Sequence, residues 1–140
     1  MNSTCEKRVL VTGVFDVLHR GHIELLHFAA QHGRVMVGLN DDAAVRKLKG
    51  PTRPVNNEED RLFVMNAINA VHFAFLIHST RVDEAIMTMK PHYWVKGGDY
   101  TMGTLDVNEV RAANSVGAYI LFFKTVPGHS TTSTIEKLKT

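Results

Sequence analysis

A parallel β-sheet with helices on both faces is the architecture this sequence predicts, and three observations predict it. Short apolar runs rich in β-branched and aromatic residues alternate with stretches of helical spacing along the whole chain. Glycine, proline or small polar residues separate most of the two kinds of segment. No internal repeat or linker interrupts the alternation, and 140 residues fit one α/β domain spanning 1–140 with about five strands.

Arg8 to Thr12 is the first strand, an apolar run that stops at Gly13. Gly21 to His32 follows as a helix, with Ile23, Leu26 and Ala30 at helical spacing and Gly33 behind it. Val35 to Leu39 is the second strand. Asn57 can cap a helix running to about Asn69, with Leu62, Met65 and Ile68 facing inward. His72 to Ile77 reads as the third strand. Thr80 with Asp83 resembles a capping box, opening a helix that ends before Pro91. Tyr93 to Val95 is a short strand before Gly97-Gly98. Val107 to Val116 is a helix closed by Gly117, Ala118 to Phe123 the last strand, and Ser130 to Lys139 the last helix. Ligands of such sheets sit at the carboxyl ends of the strands, so chemistry is expected there.

Composition narrows the partners. Apolar residues make up 44% and charged residues 21% of the chain, and the net charge is +2. That charge is too small to argue for nucleic acid or an anionic membrane, yet it allows a local basic site for a phosphorylated ligand. Cys5 is the lone cysteine, so no intramolecular disulfide can form and a reducing compartment is expected. No run approaches the length of a transmembrane helix, and Met1 to Arg8 lacks the apolar core of a signal peptide. The expected location is the cytoplasm.

The first stretch that carries chemistry is Thr12-Gly13-Val14-Phe15-Asp16-Val17-Leu18-His19-Arg20-Gly21-His22. A strand ends, a glycine permits a tight turn, and a helix begins. Free N–H groups and partial positive charge at a helix start suit phosphate. His19 and His22 bracket that start, and two imidazoles there can donate to phosphate oxygens as negative charge develops. The stretch from Gly13 to His22 resembles the HxGH signature of the cytidylyltransferase-like nucleotidyltransferases. Class I aminoacyl-tRNA synthetases share a related motif, but 140 residues cannot hold their tRNA apparatus. The resemblance implies a Rossmann-like fold, His19 and His22 on the triphosphate, and the Gly13, Val14 and Phe15 backbone along the nucleotide phosphates.

Three further stretches support it. Leu48 to Asn56 is a loop stiffened by two prolines and a glycine, and with Arg61 beyond it supplies the cations Lys49, Arg53 and Arg61. It resembles the K-G-x-x-R-P-V-N loop of sugar-nucleotide members. By that resemblance Lys49 grips phosphates, while Asp16, Asp41, Arg53 and Arg61 belong to the acceptor side. Trp94 to Tyr100 runs a strand into two glycines, where a backbone can approach a ligand closely. The string V-K-G-G-D-Y closely resembles the adenylyltransferase half of the bifunctional heptose kinase/adenylyltransferases, which places Lys96, Gly97, Gly98 and Asp99 at the nucleotide. Gly128 to Ser133 matches the family's G-x-S-T-T element, implying a phosphate cradle at Ser130, Thr131 and Thr132. Thr125 stands where many cytidylyltransferases have arginine, and His129 replaces an apolar residue; the missing arginine favours the heptose branch.

The resemblance covers residues 8 to 139. It implies attack by the phosphate of D-glycero-β-D-manno-heptose 1-phosphate on the α-phosphorus of ATP, giving ADP-heptose and pyrophosphate, with Mg²⁺ bridging phosphate oxygens. The kinase step of the bifunctional proteins is expected to lie elsewhere. Family members are commonly dimers, so a homodimer is implied too. The rival within the family is a cytidylyltransferase using CTP and glycerol 3-phosphate or another phosphorylated alcohol. A nucleotide-binding sensor without catalysis is the rival of another class, and it would require a damaged phosphate site.

Overall fold

The computed structural model describes residues 6–98 and 100–124. Five strands and five helices alternate: β1 (Arg8–Gly13), α1 (Arg20–Ala30), β2 (Arg34–Asn40), α2 (Asp42–Lys49), α3 (Glu58–Asn66), β3 (Val71–Ile77), α4 (Asp83–Met89), β4 (Tyr93–Gly97), α5 (Val107–Ser115) and β5 (Tyr119–Phe123). The strands form one sheet in the order β3-β2-β1-β4-β5, and every pairing is parallel. The expected last helix, Ser130 to Lys139, lies outside the described residues. Among the described residues no helix is long and apolar enough to cross a membrane.

Side-chain alternation along each strand divides the core into two layers. Val9 and Val11 of β1 and Val95 of β4 face α1 and α3, meeting Leu25, Leu26, Ala29 and Met65. Leu10 and Trp94, on the opposite faces of the same strands, meet Ile86 of α4 and Ala112 and Ala113 of α5. Helices therefore cover both faces, as the alternation of segments required.

The chain winds outward from β1 to β3, then crosses back to β4 and β5. Between β1 and β4 the direction of winding reverses, and the carboxyl ends of those two strands open a crevice. The buried Trp94 indole N–H donates to Thr12 Oγ1 at 3.0 Å, tying the two strands together just below it.

Local details depart from the sequence expectations in four places. Helix α2 was not expected; it is short, and Arg46, Lys47 and Lys49 crowd its last turn, leaving only Ala44 and Val45 buried. Thr80 and Asp83 form no capping box: α4 starts after Val82 without a side-chain cap, and Val82 N–H is instead taken by Glu109 Oε2 at 2.9 Å. Helix α3 stops at Asn66 rather than Asn69: the chain tightens there, Ala67 N–H donating to Val64 O at 3.0 Å and Ile68 N–H to Met65 O at 3.2 Å, and the Asn66 side-chain carbonyl accepts Ala74 N–H of β3 at 2.9 Å. Ala30 is exposed, and α1 buries Leu25 and Ala29 beside the expected Leu26.

Candidate active site

A cleft of about 380 Å³ occupies the crevice between β1 and β4. Its floor is the end of β1 and the turn after it, Thr12 to Asp16, and its far wall is Lys96, Gly97 and Gly98. His19 and His22 close one side, Lys49 and Arg53 another. Gly13, Val14, Phe15, Asp16, His19, His22, Lys49, Arg53, Lys96, Gly97 and Gly98, singled out from the sequence, thus converge on one space. Asp99, Ser130, Thr131 and Thr132 lie outside the described residues.

The two histidines are organised by the helix they start. His19 is the N-cap of α1, its backbone extended, and its Nδ1 accepts the Gly21 N–H at 3.0 Å. His22 reaches back so that its Nδ1 accepts the His19 N–H at 3.1 Å. This is a capping box built from imidazoles rather than from a hydroxyl and a carboxylate. Each Nδ1 that accepts a backbone N–H has no proton of its own, so in the neutral ring the proton sits on Nε2. The cap thereby leaves each ring with an Nε2–H donor. The rings lie together, centroids 4.0 Å apart. Burial, aided by repulsion from His19, lowers the His22 pKa to about 4. At neutral pH His22 is therefore an uncharged donor.

Cations stand around these donors. Lys49 ends α2, where the negative end of the helix favours an ammonium. Lys96 is largely enclosed, with its Nζ 4.6 Å from the Tyr100 ring centroid. Burial pushes its pKa down; Glu109 opposes that shift and Lys49 adds to it. Two ammonium groups that repel across a cleft make a site that a polyphosphate can neutralise. Gly98, at φ 97°, carries the chain away from β4 through backbone that side chains rarely adopt.

Asp16 and Arg61, implied on the acceptor side by the sequence resemblance, both have their charged groups engaged within the protein. The Asp16 side chain is fully buried. Its carboxylate accepts Val55 N–H at 2.7 Å, Asn56 N–H at 2.8 Å and Arg53 Nε at 3.2 Å, latching the 50–56 loop onto the turn after β1. The Arg61 side chain is also fully buried. It donates to the carbonyls of Val14, Asn40 and Asn56 and to the Asp42 carboxylate, at 2.8 to 3.0 Å. One guanidinium thus ties together the ends of β1 and β2 and the segment before α3. Asp41 lies beside the cleft rather than in its wall. It caps α2 through Ala44 N–H at 2.8 Å and meets His78 Nδ1 at 2.9 Å. Burial opposes ionisation of Asp41, but those two partners and Arg46 outweigh it, and the carboxyl sits below its ordinary pKa. Arg53 lines the cleft with its guanidinium held by Asp16.

Sequence reading passed over Asn40, which is in the wall with Tyr100. Asn40 ends β2 and is buried, its amide donating to Ser79 O at 2.9 Å. The signal available for it was a polar residue closing an apolar strand of a parallel sheet.

Residues 10–137 match the family described as cytidylyltransferase-like. The chain is 44% identical over 126 residues to the bifunctional protein HldE of Rhodopseudomonas palustris (strain BisA53), covering 89% of this chain and 25% of that protein. It is 36% identical over 135 residues to the bifunctional protein HldE of Aliarcobacter butzleri (strain RM4018), covering 96% of this chain and 27% of that one. The chain thus spans about a quarter of the length of these curated relatives. Among solved structures it is similar to the lipopolysaccharide core biosynthesis protein of Thermoplasma volcanium GSS1, with a TM-score of 0.70 and 28% identity over 86% of this chain and 97% of that one. Pantothenate synthetase of Thermus thermophilus shares the fold, at a TM-score of 0.57 and 16% identity over 86% of this chain and 56% of that one.

Proposed function

The chain belongs to the cytidylyltransferase-like family, and from that premise we propose that it transfers AMP from ATP to D-glycero-β-D-manno-heptose 1-phosphate, releasing pyrophosphate. The observation that carries the reaction class is the convergence of two Nε2–H imidazoles and two lysines on one cleft at the winding reversal of the sheet. The heptose acceptor is supported by the likeness to the HldE proteins and by the string Val95 to Tyr100.

An oxygen of the acceptor phosphate attacks the α-phosphorus. The bond from that phosphorus to the oxygen bridging to the β-phosphorus breaks, and pyrophosphate leaves with the electron pair. The acceptor is already an anion, so no side chain need be a nucleophile or a base. The protein aligns the two substrates and stabilises the charge that spreads over the transferring group. His19 and His22 donate through Nε2–H, and Lys49 and Lys96 supply positive charge. Ser130, Thr131 and Thr132 are assigned to the same triphosphate by their sequence.

Mg²⁺ enters this proposal as a companion of the triphosphate. Among the described residues no group of three His, Cys, Asp or Glu could hold a metal ion. Asp16, the carboxylate in the cleft wall, is spent on the 50–56 loop. No step is routed through the ion.

The test is pyrophosphate release from each of four nucleoside triphosphates, offered with the heptose 1-phosphate anomers, hexose 1-phosphates and glycerol 3-phosphate. ATP with the β-anomer should give the highest kcat/KM. A pocket that hydrogen-bonds sugar hydroxyls rejects analogues without them, because its own polar groups are left unpaired. Tenfold preference for CTP would move the assignment to the glycerol-phosphate type. Equal rates on all acceptors would leave the reaction class and remove the heptose.

A further inference from the structure

Phe15 has backbone geometry that its place in the cleft wall does not by itself require. It adopts φ 50°, in the left-handed region that a bulky side chain avoids. Lys90, the other described non-glycine residue with positive φ, closes α4, a usual place for that conformation. Phe15 closes no helix. Its left-handed turn throws the ring back over Gly13, where a Cβ would come within 2.9 Å of ring Cε2. The ring is buried and lies against the His22 imidazole, centroids 5.3 Å apart and tilted by 52°. Behind it is a second cavity, of about 360 Å³, bordered by Asp60, Arg61, Phe63 and Val64. Phe15 lines both this cavity and the cleft.

We propose that Phe15 is a positioning residue for His22: aimed by its left-handed backbone, the ring packs the imidazole beside His19 in its Nε2–H form and stands between it and the second cavity. The proposal rests on His22 being a phosphate donor. A flat apolar ring is suited to the task, because it confines the imidazole without competing for the Nδ1 that the His19 N–H occupies. It also accounts for Gly13, since any side chain there would push the ring off its seat. Burial is the larger cause of the low His22 pKa, and repulsion from His19 is the smaller. Asp16, Lys49, Arg53 and Lys96 are the other charged groups that line the same cleft. Losing the ring would open the imidazole to water from the second cavity and weaken the larger cause.

The experiment is a pH titration of the imidazole ¹⁵N and ¹H signals of the full chain without substrate, for the wild type, Phe15→Leu, Phe15→Ala and Phe15→Tyr. The His22 midpoint should rise from about 4 toward its ordinary range in Phe15→Ala, rise less in Phe15→Leu, and return in Phe15→Tyr, which restores a flat ring. The Nε2–H tautomer should become mixed in Phe15→Ala. Turnover should fall by about tenfold in Phe15→Ala, more in kcat than in KM for the nucleotide. An unchanged His22 midpoint and tautomer in both Phe15→Ala and Phe15→Leu would overturn the proposal. Should Phe15→Ala not fold, Phe15→Leu decides alone. The titration reads the substrate-free protein, so a wild type inactive with every triphosphate would sink the proposed reaction and leave this result standing.

Discussion

His22 is where the chemistry of a single side chain departs most from its ordinary behaviour. In the folded protein it takes up a proton only near pH 4, against 6.5 in the unfolded chain. Between those values the unfolded chain binds more protons, so stability falls as pH drops from 6.5 to 4, and the His22 contribution is fully present above 6.5. Urea unfolding midpoints across that window should show the slope, and His22→Gln should remove the His22 part of it. In catalysis, His19→Ala and His22→Ala should each lower kcat by about 10²-fold or more, the loss typical of a donor acting in the transition state. Near-wild-type turnover in both variants would dismiss the assigned site. The two residues were legible in the sequence because their spacing after a strand is specific. Their tautomer was not, since it depends on which nitrogen meets a backbone N–H. Asp16 and Arg61 were legible as important, but their internal partners were not, because residue type does not reveal which backbone groups a buried carboxylate or guanidinium meets.

Elements were legible in proportion to their apolar pattern. The five strands are where the β-branched and aromatic runs placed them, whereas α2 escaped notice because it is only eight residues long, half of them charged, and follows closely on β2. The loop of residues 50–56 reads as a turn-rich connection, but its attachment to the cleft is a tertiary fact carried by Asp16. Asp16→Ala leaves Arg53 without its buried partner and two N–H groups unpaired. It should destabilise the protein by about 3 kcal/mol, the usual cost of removing one half of a buried pair. It should also raise KM for the triphosphate, since Lys49 borders the freed loop and Arg53 lies within it. Denaturation midpoints and initial rates on one preparation would separate the effects. A variant as stable as the wild type with unchanged KM would show that the latch is dispensable.

At the scale of the whole molecule, strand order decides where chemistry can occur. Sequence alternation implied a parallel sheet covered on both faces, but not which neighbours pair, because that depends on the crossover after β3. With the order known, the reversal between β1 and β4 is the crevice, and the motifs around residues 13–22 and 95–98 fall on its two sides although they lie far apart in the chain. The same order leaves β3 as an outermost strand, and there the Asn66 amide holds the Ala74 N–H. That contact acts as a stopper against polymerisation. An unclaimed main-chain donor on an outermost strand is a template on which another chain can grow, and a side-chain carbonyl seated there blocks the first step. Asn66→Ala should therefore raise the rate of fibrillar or amorphous deposition on mild heating, followed by light scattering, more than its loss of melting temperature accounts for. Deposition no faster than in an equally destabilised variant changed elsewhere would assign Asn66 to stability alone.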